Sequence, residues 1–133
     1  MRKSRTINIQ IQRPVDEVYA FLVDPRNLAS WTMVENGRQV PDAGPLVWAF
    51  EAPRGDVLVH FTPPNAHFIM DYTVRMNGDI RQAGYVRLIG NGEGTEMIHT
   101  SIQQPEISDP EFESEAEWLT SDLLVLKSLL EAS

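Results

Sequence analysis

The chain opens with a strict alternation of apolar and polar residues. Isoleucine occupies positions 7, 9 and 11, and Asn or Gln occupies positions 8, 10 and 12. This period of two predicts a strand with one face in water. Pro14 then suits the first turn of a helix, because it lacks the amide donor that this position leaves unpaired. Asp24 and Pro25 end that helix, and residues 25–31 predict a second short helical segment.

Between residues 31 and 104 the helical period disappears, and short β-rich runs alternate with turn signals such as Asn36-Gly37 and Asn77-Gly78. The pattern predicts six further strands, at about 31–38, 46–52, 56–62, 67–75, 79–89 and 95–103. Because the intervening turns are short, these strands should form an antiparallel meander.

The hairpin at Asn77-Gly78 can be given a register from the pattern of its faces. A three-residue loop over 76–78 puts Gly78 at the left-handed position such loops favour. It leaves one side of the sheet apolar and the other charged, with Arg81 on the charged side. The predicted pairs are Val74 with Ile80, Tyr72 with Gln82, Met70 with Gly84, and Phe68 with Val86.

The last part of the chain is the clearest helix in the sequence. Asp109 can cap it, Pro110 fits its first position, and apolar residues then recur at spacings of three and four. The apolar side of the sheet is the surface available to cover. We therefore predict an α+β helix-grip fold over residues 1–133 as a single domain. It combines a curved seven-stranded antiparallel sheet, two short helices after strand 1 and a long C-terminal helix across the concave face.

Composition narrows the classes of partner. The net charge of -8 excludes a nucleic-acid partner, because phosphate binding needs a basic surface. The sequence has no cysteine, which rules out disulfides and thiolate metal sites and fits a reducing compartment. No segment approaches the ~20 apolar residues of a membrane span. We expect a soluble cytoplasmic protein without integral membrane contact.

The sequence resembles the START-like, or SRPBCC, superfamily. The opening RPVDEVYAFLVDPRNLASW, the turn GNGEGT and the final LKSLLE carry this resemblance, which spans nearly the whole chain. The residues of the opening that match are Pro14, Val18, Tyr19, Phe21, Leu22, Asp24, Leu28 and Trp31. The resemblance implies the helix-grip fold and, among relatives, binding of lipids, quinones or polyketides. It brings no universal catalytic motif.

A ligand cavity is predicted between the sheet and the terminal helix. Gly84 removes volume beneath the helix, and Gln82 on the same face is a polar group that needs a partner. Methionine provides an adaptable wall for irregular apolar ligands. The residues predicted to bind a ligand are Phe68, Met70, Tyr72, Gln82, Gly84, His99 and Trp118. The same side chains could instead form a solid core.

The histidines are the candidate acid–base groups. None has metal-ligand spacing, so neither a metal nor a cofactor is predicted. His99 is placed inward because the opposite register would bury Glu96. A three-residue loop at 53–55 would put His60 beside Trp48 and Phe50. Which face of residues 46–62 lines the cavity stays open, since both faces are apolar.

Two functions follow from these features. The leading one is binding, or transport, of a small hydrophobic or amphipathic ligand of lipid, quinone or polyketide type. The alternative is an enzyme of the polyketide cyclase, aromatase or dehydratase kind that uses His99 or His60, with tyrosine, for acid–base chemistry. A protein-interaction domain is a third class, which no residue marks specifically.

Overall fold

The computed structural model describes residues 1–132, and the described residues form a seven-stranded antiparallel sheet in the order β1-β7-β6-β5-β4-β3-β2. The first strand therefore pairs with the last. The two short helices that follow the first strand lead the chain across to the start of the meander. The strands are β1 (Ser4–Ile11), β2 (Glu35–Gln39), β3 (Val47–Ala52), β4 (Gly55–Phe61), β5 (Tyr72–Met76), β6 (Asp79–Asn91) and β7 (Gly94–Ile102). The helices are α1 (Val15–Leu22), α2 (Asp109–Glu131) and two 3-10 helices, Pro25–Ser30 and Pro41–Ala43. No helix among the described residues is long and apolar enough to span a membrane.

The long helix α2 is fastened along β1 by charged groups on one of its flanks. Arg5 pairs with Glu113, and the Lys127 ammonium donates to the Gln10 carbonyl oxygen. The N-cap is Ser108 rather than the predicted Asp109, since the Ser108 hydroxyl accepts from the Glu111 amide at 3.3 Å. The predicted helix is confirmed, and it covers the β1 side of the concave face.

Two separate hydrophobic clusters pack on this face of the sheet. The larger joins α1 and α2 to β1, β6 and β7, and its buried members are Ile11, Val18, Val86, Leu88, Met97, Leu123, Leu126 and Leu130. The smaller lies on β3 and β4 and is built around Phe50, Val57 and Val59. Among the described residues, α2 contributes no side chain to the smaller cluster. The helix therefore closes only part of the concavity.

Two predicted strands are shorter than the sequence pattern suggested. Strand 31–38 begins only at Glu35, and strand 67–75 begins only at Tyr72. Residues ahead of β5 instead form a loop organised by Asn65, whose side-chain oxygen accepts from the His67 and Ile69 amides. Phe68 lies in this loop with a φ of 56°, a left-handed conformation that a strand excludes.

The predicted register of the β5–β6 hairpin is wrong. Asn77 and Gly78 both have positive φ and form a two-residue turn between Met76 and Asp79. A bulge at Arg81 then shifts the pairing, so that Val74 lies opposite Gln82. The remaining observed pairs near it are Tyr72 with Gly84, Thr73 with Ala83 and Arg75 with Ile80.

The bulge also moves Arg81 away from the outward position predicted for it. Its guanidinium pairs with Glu111 and Glu115 on α2, at 3.3 and 3.1 Å. Redirecting one side chain is a characteristic effect of a β-bulge.

Candidate functional site

A hydrogen-bonded pair of side chains, Tyr72 and His99, lies on the concave face of the sheet. The Tyr72 hydroxyl is 2.8 Å from His99 Nε2, and the rings meet at a 58° tilt. His99 comes from β7, points inward as predicted and is only 3% exposed. Ser101, two residues further along the same face, lies 3.5 Å from His99 Nδ1. The arrangement joins three polar groups in an otherwise apolar layer.

Burial alters the acid–base properties of both rings. It lowers the pKa of His99 to about 4, so the imidazole is neutral at pH 7. It also raises the pKa of Tyr72, with the Asp122 and Glu115 carboxylates adding to the shift. At pH 7 the pair is a neutral imidazole and a protonated phenol, the protonation states of a general base and a general acid. Both pKa values are shifted away from 7, where acid–base catalysis is most effective.

Gly84 makes this pair possible, although it does so without leaving an empty space. A Cβ at this position would lie 2.4 Å from the Tyr72 ring and 2.8 Å from His99 Nε2. The volume that a side chain would occupy is therefore filled by the Tyr72 ring. Gln82, on the same strand, is half-buried, and its amide has no hydrogen-bond partner among residues 1–132.

The enclosed cavity beneath the first half of α2 is small. It measures about 10 Å³, which is room for about one water molecule. It is lined by residues of β6, β7, the following loop and α2, including Gln82, Ser101, Phe112, Glu115 and Ala116. A ligand larger than water needs other space in this conformation.

The other flank of α2 faces away from β1. Arg5 and Gln10 of β1 hold the first flank, whereas the helical period puts Trp118, Asp122 and Leu129 on the opposite one, where Trp118 contacts Arg54 of the β3–β4 turn. Across from them, Val74 and Met76 belong to the border of the smaller cluster and are only half-buried. We call the region between these two sets of residues the concave cleft. Tyr72 lies at its inner end, because it borders both hydrophobic clusters.

Trp118 is the predicted ligand-binding residue that lies furthest out. It is 55% exposed, and the Arg54 guanidinium lies 5.5 Å from the centre of its ring. Arg54 is on the turn between β3 and β4, so this cation–π contact bridges the hairpin and the helix. An indole held in this position is available to a ligand on its uncovered surface.

Two carboxylates on the same flank of α2 were missed by the sequence analysis. Burial raises the pKa of Asp122 to about 6 and also raises that of Glu115, against the opposing effect of Arg81. Asp122 has no ion-pair or hydrogen-bond partner in the described part of the chain. The sequence does contain a signal for these two carboxylates: positions 115 and 122 are two helical turns apart and lie beside the apolar stripe of the helix.

Phe68 and Met70 are placed differently from their predicted strand positions. Both precede β5 and pack against the larger cluster, and the Phe68 ring meets Tyr19 of α1 edge-on with centroids 5.2 Å apart. They line the α1 side of the concave face. The structure thus brings Tyr72, Gln82, Gly84 and His99 together, and leaves Phe68, Met70 and Trp118 around them.

His60 does not join this group. Ala52 pairs with Gly55, so the β3–β4 turn has two residues rather than the three predicted, and His60 lies opposite Val47. It is exposed on the convex face, away from Trp48 and Phe50. The concave face of β3 and β4 carries Trp48, Phe50, Val57, Val59 and Phe61. Val47 and Ala49 on the opposite face are also buried, which explains why the sequence pattern was ambiguous.

Comparison with known proteins identifies the architecture. No family model matches the sequence, and no curated protein is similar to it. Solved structures do match over nearly the whole chain. The Zhui aromatase/cyclase from Streptomyces sp. R1128 superposes with a TM-score of 0.78 at 13% identity, covering 98% of this chain and 94% of that one. The fold is the helix grip that this aromatase/cyclase structure has.

Other helix-grip structures agree with this assignment. A START superfamily protein from Mycobacterium smegmatis gives a TM-score of 0.75 at 12% identity, covering 97% of each chain. Ara h 8.0201 gives 0.72 at 13% identity, covering 98% of this chain and 100% of that one. At such identities the likeness establishes the fold alone. Within the described residues there is no group of three potential metal ligands.

Proposed function

We propose that this protein binds a small hydrophobic or amphipathic molecule in the concave cleft. One observation carries the proposal: the flank of α2 away from β1 exposes Trp118 and Leu129, while Val74 and Met76 of β5 are only half-buried. Removing such surface from water at roughly 25 cal/mol per Å² would supply the affinity. Cytoplasmic location belongs to the same proposal and fits the lack of cysteine.

Polar groups at the inner end of the cleft would orient the ligand. The Gln82 amide is free to pair with a ligand oxygen, and the Asp122 carboxylate can accept from a ligand hydroxyl or amine. The Tyr72–His99 pair lies deeper and offers its remaining hydrogen-bonding capacity. A mostly apolar site with a few placed polar groups is the usual form of a small-molecule site. A lipid, quinone or polyketide-like molecule has this mixture of surfaces.

The test compares two leucines on opposite flanks of α2. Leu129 lies on the cleft flank and Leu124 on the β1 flank, and both are partly exposed, at 39% and 53%. Native mass spectrometry of the purified protein should detect a co-purified apolar ligand in the wild type and in Leu124→Arg. The ligand should be lost from Leu129→Arg. Equal retention by both variants would place any bound molecule outside the cleft.

A second function, that of a polyketide cyclase, aromatase or dehydratase, is favoured by one observation. The Tyr72–His99 bond supplies a neutral base and a phenolic acid in direct contact. In this reaction class His99 would remove a proton from an activated carbon and Tyr72 would protonate the developing oxygen.

A linear poly-β-ketone thioester is the substrate with which to test the enzyme. His99→Asn and Tyr72→Phe should each lower kcat by about 100-fold or more, as expected for loss of a general acid or base. Leu124→Ala is the matched control and should leave the rate unchanged. If the thioester cyclises at the uncatalysed rate with the wild-type protein, the protein is a carrier and not this enzyme.

A further inference from the structure

A recess of about 320 Å³ lies on the convex face of the sheet, on the side opposite α2. It is lined by His60, Phe61, Thr62, Pro63, Asp71, Tyr72, Thr73 and Tyr85. The volume falls within the range of about 300–1,000 Å³ that small-molecule sites occupy. The recess and the concave cleft lie on opposite faces of the sheet, and Tyr72 borders both.

Strand pairing holds the floor of the recess in place. His60 of β4 pairs directly with Thr73 of β5, and Tyr85 of β6 is two residues beyond Ala83, the partner of Thr73. Because residues two apart in a strand share a face, the side chains of His60, Thr73 and Tyr85 project to the same side. The three groups thus come from three adjacent strands.

These three side chains are not used by the fold. None of them has a hydrogen-bond partner within residues 1–132, and Tyr85 is 42% exposed. An imidazole and two hydroxyl groups can each both donate and accept a hydrogen bond. A ligand hydroxyl also both donates and accepts hydrogen bonds, so an alcohol can bond to any of these three side chains.

The wall of the recess is held by hydrogen bonds and by one ion pair. The Asp71 carboxylate pairs with the Arg87 guanidinium and accepts from the Val86 amide at 3.0 Å. The Thr62 hydroxyl donates to the Asp71 carbonyl oxygen at 2.6 Å. Since the Asp71 carboxylate is already paired, it offers no free negative charge to a ligand. The chemistry of the recess favours a neutral ligand.

The lining of the recess also includes apolar surface, so the ligand should have an apolar face. The Tyr85 ring supplies an exposed aromatic face, and Phe61 and Pro63 add apolar edges. We propose that the convex recess binds a neutral, polyhydroxylated ring compound of sugar type, with the ring packed on Tyr85 and its hydroxyls bonded to His60 and Thr73. A sugar ring has both required surfaces, a face of C–H groups and a rim of hydroxyls. This site is independent of the ligand proposed for the cleft.

Amide chemical shifts provide the test, with the methyl β-glycosides of glucose, galactose and mannose as probes. At least one should produce saturable shifts centred on His60, Thr73 and Tyr85. Tetrahydropyran is the matched control, because it has the same ring and lacks the hydroxyls, and it should produce none. Tyr85→Ala should weaken binding by about tenfold or more, equivalent to about 1.4 kcal/mol.

Further variants separate the contributions of the Tyr85 ring and of His60 to the affinity. A control variant on the same strand tests whether a substitution there acts by disturbing the sheet. Tyr85→Phe keeps the aromatic face and should retain part of the affinity, whereas His60→Ala should weaken it. Leu58→Ala, on the same strand and face as His60, should change nothing. The proposal is overturned if no glycoside gives saturable shifts, if tetrahydropyran gives the same shifts, or if Tyr85→Ala binds as well as the wild type. Shifts confined to Trp118 and Leu129 would likewise reject it, because they would locate binding in the cleft.

Discussion

The ring of Tyr72 occupies the position where a side chain of Gly84 would stand, and from there its hydroxyl reaches His99. The two residues are direct partners across β5 and β6. The absence of a side chain at one position thus fixes the orientation of an aromatic ring at the other. The polar pair of the candidate site depends on this contact.

Gly84→Ala should therefore destabilise the protein. The added methyl group would lie 2.4 Å from a ring atom of Tyr72, and the ring is held by its bond to His99. Overpacking of this kind lowers the free energy of unfolding by about 1–3 kcal/mol, measurable by urea denaturation.

Gly90→Ala on the same strand is the control. Its Cβ would meet Val15 at 3.4 Å, an ordinary contact, so we expect a change within about 0.5 kcal/mol. Equal losses in the two variants would mean that glycine is needed for strand geometry and not for the Tyr72 ring.

Asp122 and His99 should give opposite contributions to stability in acid. The folded pKa of His99, about 4, is below its unfolded value of about 6.5, so His99 makes folding less favourable as pH falls from 6.5 to 4. The folded pKa of Asp122, about 6, is above its ordinary 3.8, so Asp122 makes folding more favourable as pH falls from 6 to 4. The two effects partly cancel in the wild type.

Asp122→Asn removes the pH-dependent contribution of Asp122 to stability and leaves that of His99. The variant should be more stable than the wild type at pH 7, by about 1 kcal/mol, because an unpaired half-buried charge is gone and solvent already screens part of its cost. Between pH 6 and 4 its free energy of unfolding should fall more steeply than that of the wild type. Urea denaturation at a series of pH values measures both. A parallel pair of pH curves would mean that Asp122 is fully solvated.

Trp118 should matter for binding more than for stability. It is half-exposed, and its contact with Arg54 is worth about 0.5–1 kcal/mol at an exposed site. Trp118→Ala should therefore cost about 1 kcal/mol in stability while weakening ligand binding by about tenfold or more.

Leu123→Ala provides the contrast, because Leu123 is fully buried. It should lower the free energy of unfolding by about 2–5 kcal/mol. If Trp118→Ala is as destabilising as Leu123→Ala, the indole is a core residue in solution and the cleft is closed.

The Arg81–Glu115 pair should show strong coupling in a double-mutant cycle. Arg81→Ala leaves the half-buried Glu115 without its ion-pair partner, which should cost about 1–3 kcal/mol. Glu115→Gln in that background should restore most of the loss, because a neutral amide needs no counter-charge. Thermal denaturation of the four proteins gives the coupling energy. Additive effects would show that Arg81 acts through Glu111 alone.

Much of the fold could be read from local pattern. The isoleucine alternation before Pro14 and the leucine spacing after Pro110 each specify one element and its buried face, because only one period fits. The strand predicted before Tyr72 was wrong for a physical reason. Phe68 and Met70 alternate like a strand, yet the hydrogen bonds of Asn65 and the positive φ of Phe68 impose a loop.

The site could be predicted only in part. Tyr72, Gln82 and Gly84 share a face in the predicted register and in the observed one, because the two registers differ by two residues and parity is conserved. Arg81 could not be placed, since a bulge is not visible in an apolar pattern. Asp122 could be recognised as a candidate only from the packing of α2, which shows which flank of the helix does not contact β1.

The binding of α2 along β1 also limits how this protein can associate with itself. Lys127 and Glu131 take up backbone groups of Gln10 and Gln12 that a neighbouring strand would otherwise use. At the far margin, β2 is five residues long, carries charges and is interrupted by Asn36 with a φ of 52°. Both rims of the sheet are thereby poor templates for strand addition, the usual route to β-aggregates. Strand addition at the β1 rim would first require α2 to detach.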